Sequence, residues 1–277
     1  MSLAVKLLES LAKQTWDRIK DGYELEISQG EETITDLNLL EIKRSGIRSF
    51  QVVKLTKAEE AIKGIDWEWW IGSESQGWLR YAIQAKKIQV ESQIYNSLGH
   101  KVDGIPQIDL LETYARKVTA IPLYCLYNYA QNPIPSQHWH CSFPYDEKQL
   151  GCTVTPSKII RQAMSVRGCR NFNHIHTQNE TIPWSCLLKC PNILQIYAGV
   201  FANTPFENVK VYSKLPESIV AAMDEGVLTI SPESYPSIKV RELGDISETN
   251  IGYFTDKEEI RIVPRKVLII NTGSRFE

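Results

Sequence analysis

The chain has 277 residues, a formal net charge of −2, 43% hydrophobic and 23% charged residues, a balance that excludes disorder and offers no bulk charge for a polyanion. No apolar run approaches the roughly 20 residues that cross a bilayer. The opening Met1-Ser2-Leu3-Ala4-Val5-Lys6, with Glu9, Lys13 and Asp17 soon after, reads as an amphipathic helix and not a signal peptide. A cytoplasmic protein without a membrane partner is expected, and its six cysteines do not suggest a disulfide framework.

In chain order, the first predicted helix covers about Leu3 to Lys20, with Leu7, Leu8, Leu11, Trp16 and Ile19 at helical spacing and a stop at Asp21-Gly22. A second spans about Glu32 to Lys43, with Ile34, Leu37, Leu39 and Leu40 inward. Phe50–Leu55 and Ile65–Ile71 are β-prone, Gly72 to Gly77 is a turn-rich break, and Trp78–Ile88 is a longer strand. A break over Asn96–Ile105 precedes a helix at about Gln107–Lys117 and an apolar strand at Ile121–Tyr129. The expected fold class is α/β, a central mixed β-sheet flanked by helices over residues 1–130. The Pro-containing stretch Gln131–Pro135 ends this unit. Residues 131–277 read as an α+β C-terminal extension of unknown role, packed on the core. It has helices after Thr155-Pro156, around Ser185–Lys189 and over about Pro216–Asp224, and short strands near Val209–Tyr212 and Ile260–Ile270.

The chemistry concentrates in the 65–88 hairpin. Side chains alternate faces along a strand, so Asp66 and Glu68 share one face, and Gln84 and Lys86 share one face of the partner. With Ile71 opposite Trp78, Asp66 falls opposite Ile83, and a one-residue bulge would bring Gln84 there instead. Within one residue of register, a carboxylate, an amide oxygen, the Ala85 carbonyl and a lysine ammonium converge. Such oxygens suit Mg²⁺ or Mn²⁺, and a lysine beside them can orient water and stabilise charge growing on phosphorus. The bland alternative is a solvent-exposed face with an Asp66–Lys86 surface ion pair.

The strings Gly64-Ile65-Asp66 and Ile83-Gln84-Ala85-Lys86-Lys87 are similar to the Mrr-like branch of the PD-(D/E)xK restriction-endonuclease superfamily, in which glutamine replaces an acid. The region from Gly30 to Tyr129 also resembles an uncharacterised bacterial family, DUF6615. That likeness is carried by Glu32–Asp36, Gly64–Trp70, Gln84-Ala85-Lys86, Gln107–Leu111 and Pro122-Leu123-Tyr124. The resemblance implies a restriction-endonuclease-like core and Mg²⁺-dependent hydrolysis of phosphodiester bonds, usually in DNA, in restriction or anti-phage defence. Carried over, Asp66 is the metal ligand, Gln84 the second ligand and Lys86 the catalytic lysine. A helix glutamate would complete the set, with Glu32 first and Glu31 and Glu41 still open; Asp36 lies one turn on from Glu32. A catalytically inactive nuclease-fold subunit that binds nucleic acid or a partner protein is the alternative. A partner protein or nucleotide activator, and assembly as a homo-oligomer, are further expectations.

Three other features stand apart. From Lys148 to Asn179 there is no Asp or Glu, while Lys158, Arg161, Arg167 and Arg170 fall inside; with Lys87 these are candidates for phosphate contact or plain solvated charges. Trp67 and Trp69 read as core, and Trp70 could stack on a nucleobase. Five of six cysteines and four of five histidines lie between His138 and Cys190, in a spacing that matches no zinc finger or ribbon. A structural Zn²⁺ and a pair of buried core thiols at Cys186 and Cys190 are both open.

Overall fold

The computed structural model describes residues 2–54, 65–141, 143–190, 210–217, 219–220, 223, 237–239, 259–261 and 266–273. Helix α1 (Leu3–Glu24) starts at Ser2, whose Oγ accepts from the Val5 amide, and buries Val5, Leu8, Leu11, Ala12, Trp16 and Ile19. It runs past Gly22 because Leu25 N–H still reaches the Asp21 carbonyl at 2.8 Å; a glycine weakens a helix without breaking it. Helix α2 (Glu31–Arg44) carries Glu31 and Glu32 in its first turn and Lys43 and Arg44 in its last, a charge order that suits the helix dipole. It buries Ile34, Thr35, Asn38, Leu39 and Ile42, whereas Leu40, expected inward, is 45% exposed.

The strands are β1 (Phe50–Lys54), β2 (Trp67–Ser73), β3 (Gly77–Lys87), the two-residue pair β4 (Lys101–Val102) and β5 (Ile105–Pro106), and β6 (Ile121–Tyr127). They are followed by β7 (Cys152–Pro156), β8 (Ile182–Pro183), β9 (Val211–Tyr212), the paired β10 (Ser237–Lys239) and β11 (Glu259–Arg261), and β12 (Lys266–Asn271). The remaining helices are α3 (Gln107–Lys117), α4 (Ser157–Ser165), α5 (Phe172–His176) and α6 (Cys186–Lys189). Strand β7, not anticipated, absorbs Thr155-Pro156, so Pro156 caps α4 from outside and is not its first residue. Of the helix expected over 216–224, Glu217, Ile219, Val220 and Met223 are helical, and the other positions lie partly outside the described residues.

One mixed sheet organises the chain, in the order β1-β12-β2-β3-β6-β7-β8, with β9 paired to the start of β3. The β12–β2 and β3–β6 pairs are parallel and the rest antiparallel. Strands β7, β8, β9 and β12 come from beyond residue 130, so the boundary drawn there falls inside a single sheet. Helices cover both faces. On one, Thr35 of α2 meets the Tyr127 hydroxyl at 2.8 Å, and the Trp184 indole, beside Trp69, donates to the Leu8 carbonyl of α1. On the other, Tyr114 of α3 donates to Glu68, and Arg161 of α4 pairs with Asp109 and Glu112 of α3. Gly151 lets α1 sit close, since a Cβ there would lie 2.1 Å from the Ala12 carbonyl oxygen. Among the described residues no helix is long and apolar enough to cross a membrane.

The β2–β3 register is set by its turn. Ser73 pairs with Gly77 across Glu74-Ser75-Gln76, the Ser73 Oγ accepts from the Gln76 amide, and Gly77 sits at φ +84°, where a side chain is strained. Trp67 then lies opposite Ile83, one residue away from the pairing expected from Ile71 and Trp78. The regular ladder ends there: the Asp66 amide bonds the Ile83 carbonyl at 3.0 Å, one residue out of step with the Trp67–Ile83 pair as at a bulge, and the Asp66 carboxylate reaches the Gln84 side chain.

Under the sheet edge, a buried polar cluster joins β6, β7 and α5. His176 donates from Nδ1 to the Phe172 carbonyl at 2.9 Å, so its Nε2 accepts, with the Thr153 hydroxyl at 2.9 Å and the Asn128 amide at 3.3 Å. Burial holds its pKa down to about 4, against partial support for the charged form from the Phe172 carbonyl. The unfolded chain takes up this proton near pH 6.5 and the folded chain does not until about pH 4. Stability is therefore complete above pH 6.5 and falls as pH drops toward 4, by on the order of 3 kcal/mol from this group. Thermal melts from pH 7.5 to 4.5 should show that loss, and His176→Gln, less stable at pH 7.5, should lose less on acidification. An equal acid loss in the variant would remove His176 as its source.

Candidate active site

The end of β3 and the starts of β2 and β12 meet the N-terminus of α2. Asp66 Oδ2 accepts the Ala85 backbone N–H at 2.8 Å and the Gln84 side-chain amide, so the carboxylate is pinned by two groups of β3. Gln84 is 1% exposed, its Nε2 also contacts the Ala85 carbonyl at 3.3 Å, and its Oε1 is buried with no hydrogen-bond partner. Lys86 is 2% exposed, and its ammonium reaches Gln107 Oε1 on α3 at 2.8 Å and Glu31 Oε1 on α2 at 3.4 Å. A surface ion pair is thereby excluded as the reading of Lys86: its charge is inside the protein, between two helices.

The helix glutamate on Lys86 is Glu31, whose other oxygen takes the Lys87 amide at 3.3 Å. Glu32 is exposed and lines a small cleft with Glu31, Thr35, Asp66, Ala85 and Lys266. One helical position separates the two: Glu31 is the first residue of α2 and points back over β3. Glu41 pairs with Arg44 at 3.0 Å at the other end of the helix. Lys266, from β12, was not anticipated; it pairs with Asp36, and burial lowers its pKa while Glu32 works the other way. Only the parallel seating of β12 against β2 brings it here, and no local pattern announces that. Gly64 lies outside the described residues.

Glu68, on the side of the sheet that α3 covers, is fully buried and occupied by Arg80 Nε at 2.7 Å and the Tyr114 hydroxyl at 2.6 Å. Trp70 is completely buried, with Arg80 5.1 Å from its ring centroid and Tyr212 at its edge, so it has no face for a base. Trp67 and Trp69 meet edge to face at 4.9 Å in the core, as expected.

The basic candidates differ in how they are held. The Lys87 ammonium donates to Ser28 Oγ and the Gln29 carbonyl, both at 2.6 Å, tying the α1–α2 loop to β3, and burial lowers its pKa against the pull of Glu91. Arg161 is held by Asp109 at 2.7 Å and Glu112 at 2.5 Å. Arg170 reaches the Met164 carbonyl at 3.5 Å, Lys158 is half-buried, and Arg167 is exposed.

Asp66, Glu31 and Glu32 line the cleft and are hard oxygen donors of the kind that suit Mg²⁺ or Mn²⁺, and Gln84 offers a further amide oxygen, now buried without a partner, on the side chain that touches Asp66. Glu31→Ala should destabilise the fold by about 1–3 kcal/mol, because Lys86 would keep only Gln107 and the Lys87 amide would lose its acceptor. Glu32→Ala should cost no more than about 0.5 kcal/mol. Urea titrations of both variants check this; equal losses would contradict the distinct placement of the two glutamates.

A model of the family DUF6615, described as a family of unknown function, matches residues 4–271, so the chain belongs to that family. No curated protein and no solved structure matches the chain.

Proposed function

We propose that this DUF6615 chain is a metal-dependent nuclease that hydrolyses phosphodiester bonds, with DNA as its substrate and a restriction-endonuclease-like core as its scaffold. The observation that carries the reading is the juxtaposition of a pinned carboxylate, an unpartnered buried amide oxygen and a buried lysine at the end of one hairpin. Burying a lysine is costly even with Glu31 and Gln107 to hold it, and polar groups kept inside against that cost are candidates for chemistry.

In this reading Asp66 and Gln84 would hold Mg²⁺ or Mn²⁺, with Glu31 or Glu32 completing the oxygen set from α2. The ion, when bound, would supply Lewis-acid stabilisation of phosphate charge. Asp66 is oriented by the Ala85 amide and the Gln84 side chain, both on Oδ2. With an ion bound, turning the Gln84 amide over would present Oε1, in place of the donating Nε2, to a cation held at Asp66. Lys86, fixed by Gln107 and Glu31, would position the attacking water and meet charge growing on the phosphoryl oxygens. The setting in restriction or anti-phage defence, a cytoplasmic location and homo-oligomeric assembly belong to the same proposal.

A second reading is favoured by one observation. Asp66, Lys86, Lys87 and Arg161 all have partners within the protein, which is how a non-catalytic subunit that binds nucleic acid or a partner protein would look. Incubating plasmid, linear DNA and RNA with the protein under Mg²⁺ or Mn²⁺ separates the two. The nuclease reading expects metal-dependent cleavage, lowered roughly 10²-fold or more by Asp66→Ala and by Lys86→Ala. Binding without cleavage by all three proteins, or cleavage that neither substitution lowers, would overturn it.

A further inference from the structure

Away from that cleft, three cysteines from two distant segments converge. Cys186 opens α6 and Cys190 caps its end, where the Cys190 amide closes one turn on the Cys186 carbonyl at 3.0 Å, so both thiols leave the same side. Cys141 arrives from the loop that follows the 3₁₀ turn Ser136–His138. Its Sγ lies 3.0 Å from that of Cys186 and 3.8 Å from that of Cys190, and all three sulfurs lie within 4.8 Å of one another. Zinc–thiolate bonds of about 2.3 Å in a tetrahedron put sulfurs about 3.8 Å apart. The Cys141–Cys190 spacing equals that value and the Cys141–Cys186 spacing is shorter. Spacing along the sequence could not show it, because the third thiol comes from 45 residues away.

One neighbour fits an anionic metal centre. Three thiolates around a dication leave one negative charge, and the Lys189 side chain, 5% exposed, lies next to it, bound to Glu9 of α1 at 2.6 Å.

We propose that Cys141, Cys186 and Cys190 bind a structural Zn²⁺ that staples the loop after Pro135 to α6 and, through Lys189 and Glu9, to α1. Each thiol gives up its proton on binding. The site is independent of the nuclease reading and survives its failure.

Full-length protein purified under reducing conditions should carry about one zinc per chain by elemental analysis. Replacing zinc with Co²⁺ should give the intense visible bands and near-ultraviolet thiolate charge transfer of a tetrahedral sulfur site. Cys141→Ser and Cys190→Ser should lose most of the metal, while Cys169→Ser keeps it. Should the serine variants fail to fold, the wild type still decides: a chelator should lower its melting temperature by several degrees, and added Zn²⁺ should restore it. Zinc-free protein with three titratable thiols, a Cys141–Cys186 disulfide by mass spectrometry, or a melting temperature indifferent to chelator would each overturn the site.

Discussion

The register of the β2–β3 hairpin is the constraint on which the rest of the structure depends. Side chains alternate across a strand, so a slip of one residue in β2 would turn Trp67 and Trp69 toward α3 and take Glu68 away from Arg80 and Tyr114. The three-residue turn closed by Gly77 holds that register, with Ser73 bonding the Gln76 amide and a left-handed glycine ending the turn. The fully buried indoles of Trp67, Trp69 and Trp70 reinforce it. Each removes about 150–250 Å² from water, about 4–6 kcal/mol apiece as an upper bound at 25 cal/mol per Å².

On the α3 side the same register creates a polar seam inside an apolar sandwich. Arg80, Glu68 and Tyr114 close one knot, and Lys86, Gln107 and Glu31 the next. Buried ion pairs of this kind add little net stability compared with apolar residues of the same size, but removing one partner is costly. The seam therefore fixes where α3 and the start of α2 sit, and with them the geometry around Asp66 and Gln84. Rigid placement by neighbouring helices is what a catalytic constellation requires.

Much of the first half was legible in the sequence because its signals are local. Helical spacing of Leu8, Leu11 and Trp16, the turn chemistry around Gly77, and the apolar run from Ile121 each specify an element within a few residues. Strand alternation put Asp66 within reach of Gln84, as the structure has it, while the Lys86 ammonium turns to Gln107 and Glu31, partners on α3 and α2 that no local pattern names. What stayed hidden is long-range. Nothing near Lys266 says that β12 inserts between β1 and β2, and nothing near Cys141 says that α6 will face it. The choice between Glu31 and Glu32 turned on one residue of helix start, a boundary that sequence patterns do not resolve. Arg161 looked available for phosphate because its partners, Asp109 and Glu112, lie on a helix about 50 residues earlier.

The central claim is that Asp66 and Gln84 form a divalent-cation site, and a crystal grown with Mn²⁺ tests it most directly through the anomalous signal of the ion. The expected result is a single strong peak about 2.0–2.3 Å from a carboxylate oxygen of Asp66 and from Gln84 Oε1, with the amide turned over relative to its present contact. A map with no peak at that position, and Gln84 still donating to Asp66 at saturating Mn²⁺, would contradict it.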